Sequence, residues 1–413
     1  MRTRSVNAFV RLLIAVSLLS ARVAAQQPGS TSKVTFARAI TFSSGFSFPS
    51  GIASGDFNND GIPDLAIGTI SNTAIGVALG QGNGRFGSWL YSITGNPPSV
   101  VTVGKFDGKN LDAAVNDIYQ LNPLVLFGAG DGYFSGGVRL SSDGNYVAGF
   151  AVGDFDGDHK DDLAANVQLS PSGCEVYLYL SNGDGTFQAP RRFRAGSGGQ
   201  FSAIVAGDFN GDGKLDLAVL CVDLHNHVGS IAVLLGDGKG RFGHPLFYRF
   251  RNLYNDSFPL ALAVGDFNRD KNLDLAVVFS GTTNKGSYVR VLLGNGDGTF
   301  LKGARAPAGR NAVDIAAADF NGDGKLDLVV SSLSVDTSPD SISVLLGNGD
   351  GTFQRPARFL VRGIQPLHLT VADFNGDGKP DVATVNMASD SVSVLLNTTP
   401  FPNPAARNPP PRR

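Results

Sequence analysis

The sequence predicts an all-β fold, a seven-bladed β-propeller of four-stranded antiparallel blades closed by an N-terminal strand. Three observations carry this. An Asp-rich segment recurs along almost the whole chain, a glycine-rich hairpin text alternates with it, and the acids are lopsided. Of 36 acidic residues only Glu175 is Glu. Glu favours helices, whereas Asp favours turns and hard-cation sites. The 53 Gly in 413 residues add many turns. This composition argues against a mostly helical protein and against a glycosidase built on a Glu pair. The formal charge of −2 leaves no electrostatic footprint for nucleic acid.

The Asp-rich segment reads Asp56-Phe-Asn-Asn-Asp-Gly-Ile-Pro-Asp64 at its first occurrence and starts again at Asp154, Asp208, Asp266, Asp319 and Asp373. The spacings are 98, 54, 58, 53 and 54 residues. The first gap is double, and Lys105-Phe-Asp-Gly-Lys-Asn-Leu-Asp112 sits halfway through it as a shortened copy, making seven repeats. The hairpin text runs from a Gly at the end of an apolar stretch to a Phe, as in Gly-Asn-Gly-Asp-Gly-Thr-Phe at 294–300 and 347–353. Asn-Gly and Asp-Gly supply the positive φ that tight hairpins demand.

Four short strands, A to D, fit each repeat. Strand A precedes the Asp loop (Leu262-Ala-Val-Gly265) and strand B follows it (Leu215 to Leu220). Strand C alternates (Ser341 to Leu346), and strand D begins at the hairpin Phe (Phe353 to Phe359). The last repeat stops after strand C. The orphan segment Val34 to Phe42 has the Phe…Phe pattern of a strand D and supplies the missing one. Residues 34–397 then give 364 residues, or 52 per blade, with no length left for a catalytic domain.

The ends read differently. Arg2, Arg4 and Arg11 precede a short apolar run from Leu12 to Leu19, and Val23-Ala-Ala25 offers a cleavage site, so residues 1–25 read as a signal peptide. The run is far short of the roughly 20 residues a membrane span needs. A secreted protein, extracellular or periplasmic, without a membrane span is expected. Residues 26–33 form a short linker, and 398–413 a Pro-rich disordered tail. Losing Arg2, Arg4, Arg11 and Arg22 takes the charge from −2 to −6. Export permits a disulfide between Cys174 and Cys221; two separate buried thiols are the alternative.

Positions 1, 3, 5 and 9 of each intact loop carry Asp, Asn or Asp, Asp and Asp, all hard oxygen donors, and position 7 adds a backbone carbonyl. The expected ligand sets are Asp56, Asn58, Asp60, Ile62 and Asp64; Asp154, Asp156, Asp158, Lys160 and Asp162; Asp208, Asn210, Asp212, Lys214 and Asp216; Asp266, Asn268, Asp270, Asn272 and Asp274; Asp319, Asn321, Asp323, Lys325 and Asp327; Asp373, Asn375, Asp377, Lys379 and Asp381. About six structural Ca²⁺ are expected. No EF-hand is implied, because position 12 is Ile67, Ala165, Val219, Val277, Val330 or Thr384 and carries no acid. The copy at 105–112 lacks the first acid and should hold no metal. His159 and Lys271 stand where Gly is expected at position 6, and their loops should bind more weakly.

These loops, with the partial Phe-Gly element at Phe86-Gly87 and Phe242-Gly243, resemble the FG-GAP/VCBS repeats of integrin α-subunit propellers and of many secreted bacterial proteins. The resemblance covers residues 34–397. It implies a seven-bladed propeller with structural Ca²⁺ at the A–B loops, acting in binding or adhesion, with an extracellular protein or glycan as ligand.

Strand direction places the A–B loops and C–D hairpins on one face and the B–C and D–A connections on the other. The second face varies between blades, as binding loops on a rigid scaffold do. It carries the candidate ligand-binding residues Tyr119, Tyr146, His225, Arg251, Tyr254 and Asp256. A monomeric binding module is the leading reading; an extracellular propeller enzyme, lyase or hydrolase, acting on polysaccharide is the alternative. No catalytic residue is assigned.

Overall fold

The computed structural model describes residues 34–169, 173–197, 203–223, 226, 228–250, 257–281, 286–333 and 340–401. Among the described residues, 28 strands form seven four-stranded antiparallel sheets. The only helical element among them is a 3₁₀ turn at Met387–Ser389. Blade 1 consists of strands A (Pro49–Gly55), B (Asp64–Thr69), C (Ala74–Gly80) and D (Phe86–Ile93), paired in that order. Blades 2 to 6 repeat the order over 101–139, 146–196, 204–250, 257–309 and 312–360.

Blade 7 takes strands A (Pro366–Ala372), B (Asp381–Asn386) and C (Ser391–Leu395) from the end of the chain and strand D (Ile40–Ser43) from its beginning. The closing register runs from Ile40 opposite Val394 to Ser43 opposite Ser391. It continues outward through a bridge between Phe36 and Asn397 and a 2.9 Å bond from Thr398 N to Thr35 O. The sequence expectation of a closed seven-bladed ring holds.

Strand B reads as a continuous apolar run because each blade lies between two others. Leu217, Ala218, Val219, Leu220, Cys221 and Val222 are all fully buried, as strands covered on both faces should be. The apolar clusters therefore bridge neighbouring blades. One joins Phe155, Val176 and Leu178 of blade 3 to Leu217, Val219 and Ala232 of blade 4. Each of the Phe, Val and Leu side chains contributes about 1.5–3 kcal/mol of burial. The innermost strands contact one another in ring order. Those of blades 3 to 6 line a channel cavity of about 410 Å³ with Val152, Val205, Ala206, Val264, Ala316 and Ala317.

Strand D departs from expectation in three blades. In blades 3, 4 and 6 the hairpin Phe makes only an isolated bridge, and the strand proper starts at Arg191, Leu246 or Ala357. Each of these Phe residues is followed three positions later by proline: Pro190, Pro245 and Pro356. Proline has no N–H for the ladder and delays the pairing. Blades 1, 2 and 5 carry Trp89, Gly137 and Gly303 there, and strand D starts at the Phe.

Cys174 of blade 3 and Cys221 of blade 4 form a disulfide with Cα atoms 6.1 Å apart. It staples strand C of one blade to strand B of the next, and Cys221→Ala should cost about 2–4 kcal/mol in chemical denaturation. Ring closure makes a sharper prediction. Deletion of residues 26–44 leaves strand C of blade 7 as an open edge and should cause aggregation or a large fall in melting temperature. Deletion of 402–413 should change the melting temperature little. Equal behaviour of the two truncations would refute the closure.

Candidate metal centres and the ring of clasps

The ninth residue of every Asp loop is the first residue of strand B and is fully buried: Asp64, Asp162, Asp216, Asp274, Asp327 and Asp381 each expose 0%. A buried carboxylate needs hydrogen bonds, and each has two of the same kind. Asp64 Oδ2 accepts the N–H of Phe57, the loop's second residue, at 2.8 Å, and Oδ1 accepts the N–H of Gly80 at the end of strand C at 2.7 Å. The pair recurs with Phe155 and Ser181 on Asp162, Phe209 and Gly236 on Asp216, and Phe267 and Gly294 on Asp274. Phe320 and Gly347 hold Asp327, and Phe374 and Asn397 hold Asp381. The shortened loop keeps it too: Asp112 accepts Phe106 N at 2.7 Å and Gly128 N at 2.9 Å.

The same Phe reaches the next blade. Its ring packs on the next blade's hairpin Phe, as in Phe57–Phe134, Phe106–Phe187, Phe155–Phe242, Phe209–Phe300, Phe267–Phe353 and Phe374–Phe86, with centroids 5.6–5.9 Å apart. Its carbonyl accepts a hairpin N–H from that blade, such as Gly132 N on Phe57 at 3.1 Å and Gly84 N on Phe374 at 2.9 Å. Blade 7 has no C–D hairpin, and two substitutes complete the circuit. Phe36 from the N-terminal segment packs on Phe320 at 6.0 Å, and Asn397 Nδ2 donates to Phe320 O at 2.9 Å.

Glycine ends strand C in most blades because backbone crowds it. A Cβ on Gly236, Gly294 or Gly347 would lie 2.1–2.2 Å from the carbonyl oxygen of loop position 8. Ser181, where this Gly is absent, donates its hydroxyl to Phe106 O at 2.9 Å. Asn397 fills the same role in blade 7.

The remaining side chains of each loop turn inward. The first Asp accepts the N–H of position 6, at 2.8 Å for Asp56 and Gly61. The fifth accepts the N–H of position 7, at 2.8 Å for Asp60 and Ile62. Asp154, Asp156 and Asp162 bring carboxylate oxygens within 4.8 Å of one another. In the other five loops position 3 is Asn58, Asn210, Asn268, Asn321 or Asn375, and an amide oxygen replaces the carboxylate. The donor set is entirely oxygen and suits a hard divalent cation such as Ca²⁺. The fifth Asp also meets a lysine within the loop, as in Lys160–Asp158 at 2.8 Å and Lys214–Asp212 and Lys379–Asp377 at 3.0 Å. The shortened loop offers Lys105 in place of the first acid, and Lys109 pairs with Asp107.

Burial, then the neighbouring loop carboxylates, pushes the ninth Asp up, to about 6 for Asp64, Asp216 and Asp274 and to about 7 for Asp162, Asp327 and Asp381; the two backbone N–H bonds oppose the shift. A carboxyl raised on folding stabilises the fold below its unfolded value, and that stability is lost as pH rises through the folded value.

Of the candidate ligand-binding residues, Tyr119 sits in the B–C connection of blade 2 and is 65% exposed. Tyr146 begins strand A of blade 3 and is half-buried. Its hydroxyl bonds to Ser99 and Asn116, and burial holds it above the usual phenol range. This tyrosine joins blades 2 and 3 rather than facing solvent. His225, Arg251, Tyr254 and Asp256 lie outside the described residues. Sequence reading missed a pair on the innermost strands: Asp314 Oδ2 of blade 6 lies 3.2 Å from His368 Nδ1 of blade 7 and accepts Leu369 N at 3.0 Å. Both stand five residues before their loop's first Asp, where blades 1, 3, 4 and 5 have Gly51, Gly149, Ala203 and Ala261. Aligning the repeats at that offset would have exposed the pair.

Two predictions follow from the loop geometry. His159 and Lys271 adopt left-handed φ values of 64° and 75° where other loops place Gly. Replacing each with Gly should stabilise the protein by about 0.5–1 kcal/mol, read by chemical denaturation; a loss would refute the strain. In chelator, melting should occur at higher temperature at pH 5 than at pH 8, the direction the six raised carboxyls dictate. The opposite slope would refute that assignment.

The FG-GAP repeat model matches residues 48–84, and the FG-GAP-like repeat model matches 169–219, 266–330 and 333–384. No curated protein sequence matches the chain. Among solved structures, BBS1N in complex with ARL6DN is similar over 90% of this chain and 98% of its own, at 10% identity and a TM-score of 0.58. A protein from Lactobacillus plantarum is similar over 76% of this chain and 84% of its own, at 15% identity and a TM-score of 0.51. At these identities the likeness is one of fold. The repeat matches fall on the blades whose Asp loops and hairpins recur, and the chain is a seven-bladed β-propeller that carries FG-GAP and FG-GAP-like repeats.

Proposed function

We propose that the protein is an exported, calcium-stabilised binding module whose protein or carbohydrate ligand meets the face opposite the Asp loops. The observation that carries this reading is the contrast between the two faces. One repeats six oxygen-donor loops with the same internal bonds. The other differs from blade to blade and carries Phe48, Ile93, Tyr119, Leu360 and Ile364 as exposed apolar side chains. Side chains free of a repeated structural duty can specialise in recognition, and exposed apolar groups are suited to contact.

Export is supported by the basic and apolar text of residues 1–25 and by the inter-blade disulfide, since such bonds persist in oxidising compartments. No helix among the described residues is long and apolar enough to cross a membrane. Calcium would neutralise the carboxylates that each loop gathers. Asp, Asn and the position-7 carbonyl would hold it, and the metal would supply charge balance and rigidity.

A cation that binds only the folded state stabilises it by mass action. Chelation should therefore lower the melting temperature and added Ca²⁺ should restore it, with metal analysis finding close to six ions and not seven. Melting curves indifferent to excess chelator would refute the calcium reading. For the ligand face, a glycan and protein binding screen followed by Tyr119→Ala tests the assignment. Hydrogen-exchange protection confined to the Asp-loop rim would place the ligand on the wrong face.

A further inference from the structure

Blades 3 and 5 each lay an arginine of strand D over a tyrosine of strand C. In blade 3 the charge is met within the protein. Arg192 lies 5.0 Å above the ring of Tyr177, its Nη2 is 2.7 Å from Asp143 Oδ2, and the Tyr177 hydroxyl donates to the same carboxylate at 3.2 Å. In blade 5 Arg305 lies 4.5 Å above Tyr288, and Tyr288 stacks on Phe279 at 4.7 Å. Phe279 in turn meets Phe250 of blade 4 edge-on at 5.1 Å. The residue paired with Arg305 across the strands is a second arginine, Arg290.

Like charges directly opposite on a sheet are destabilising. No acid among the described residues lies within ion-pair distance of either guanidinium. Arg290 is half-buried, and burial, then the charge of Arg305, lowers its proton affinity. A register shift between Arg290 and Leu292 marks a bulge beside the pair, the device by which sheets re-aim a side chain. Arg305 is exposed and held on the Tyr288 ring, directly across the strands from the half-buried Arg290, and guanidinium forks match the oxygens of a tetrahedral or planar oxyanion. Partial burial strengthens such contacts relative to open water.

We propose that Arg290 and Arg305 form a binding site, on the flank of blade 5 that faces blade 4, for an oxyanion of a ligand, a sulfate or a carboxylate group. The site is independent of the Asp loops and of the opposite rim's variable connections. It needs neither calcium nor the binding-module reading to be correct.

The test titrates the full chain at constant ionic strength with inorganic sulfate and, separately, with malonate, following the arginine side-chain resonances by NMR. Resonances of Arg290 and Arg305 should shift with saturation, and the tighter of the two anions identifies the source as a sulfate ester or a carboxylate. Arg290→Gln with Arg305→Gln should weaken binding by about tenfold or more. Arg192→Gln, whose arginine is already paired with Asp143, should leave it unchanged. Without anion, Arg290→Gln should melt at an equal or higher temperature, because it relieves the like-charge pair. Absence of saturable shifts for both anions, or equal affinity in the double variant, would overturn the proposal.

Discussion

The rest of the structure depends on a buried aspartate at the start of every strand B. Its two oxygens tie the second residue of the Asp loop to the end of strand C, so one carboxylate fixes the A–B loop and the C–D hairpin of its blade together. The Phe whose N–H it holds then passes the constraint on, through its ring and its carbonyl, to the next blade's hairpin. Hydrogen bonds to a charged acceptor contribute about 1.5–3 kcal/mol each, and a buried N–H left without one costs a similar amount. Seven such units close the ring, with Phe36 and Asn397 completing the one blade that has no hairpin.

This clasp is separable from metal binding. The loop at 105–112 has lost the first acid yet retains Asp112, Phe106 and both backbone bonds. The loop-tip Asp and Asn side chains form an outer layer over a clasp that folds the blade. The layering explains why one rim of the propeller is uniform. Its residues serve the clasp or the internal bonds of the Asp loops, and diversity is confined to the opposite rim and to the flanks, where the blade 5 arginines lie.

Blade number, strand order and ring closure were legible in the sequence because a repeat of 52 residues leaves its marks seven times, and Phe36 and Phe42 mimic a strand D. The Asp loops and their register were legible for the same reason. The role of the Phe at position 2 was not, although it follows position 1 in all seven copies, because its partner is in another blade, as far off in sequence as Phe134 is from Phe57. The delay of strand D behind Pro190, Pro245 and Pro356 was missed because the hairpin Phe looked like its start. The disulfide was open because Cys174 and Cys221 are 47 residues apart and only the stacking of blades 3 and 4 brings them together. Asp314 with His368, and Arg290 with Arg305, were hidden likewise, since each side chain reads as an isolated charge until the sheets are assembled.

The most direct measurement is the stability of a variant in the blade whose shortened loop has Lys105 in place of the first acid, where the clasp stands apart from the full Asp loop. Asp112→Ala leaves the N–H groups of Phe106 and Gly128 buried without their acceptor. Chemical denaturation should register a loss of about 3 kcal/mol or more, unchanged by chelator. Asp107→Ala, in the same loop but outside the clasp, should cost less than about 1 kcal/mol. An Asp112→Ala protein as stable as the parent would contradict the claim that the buried aspartates hold the ring together.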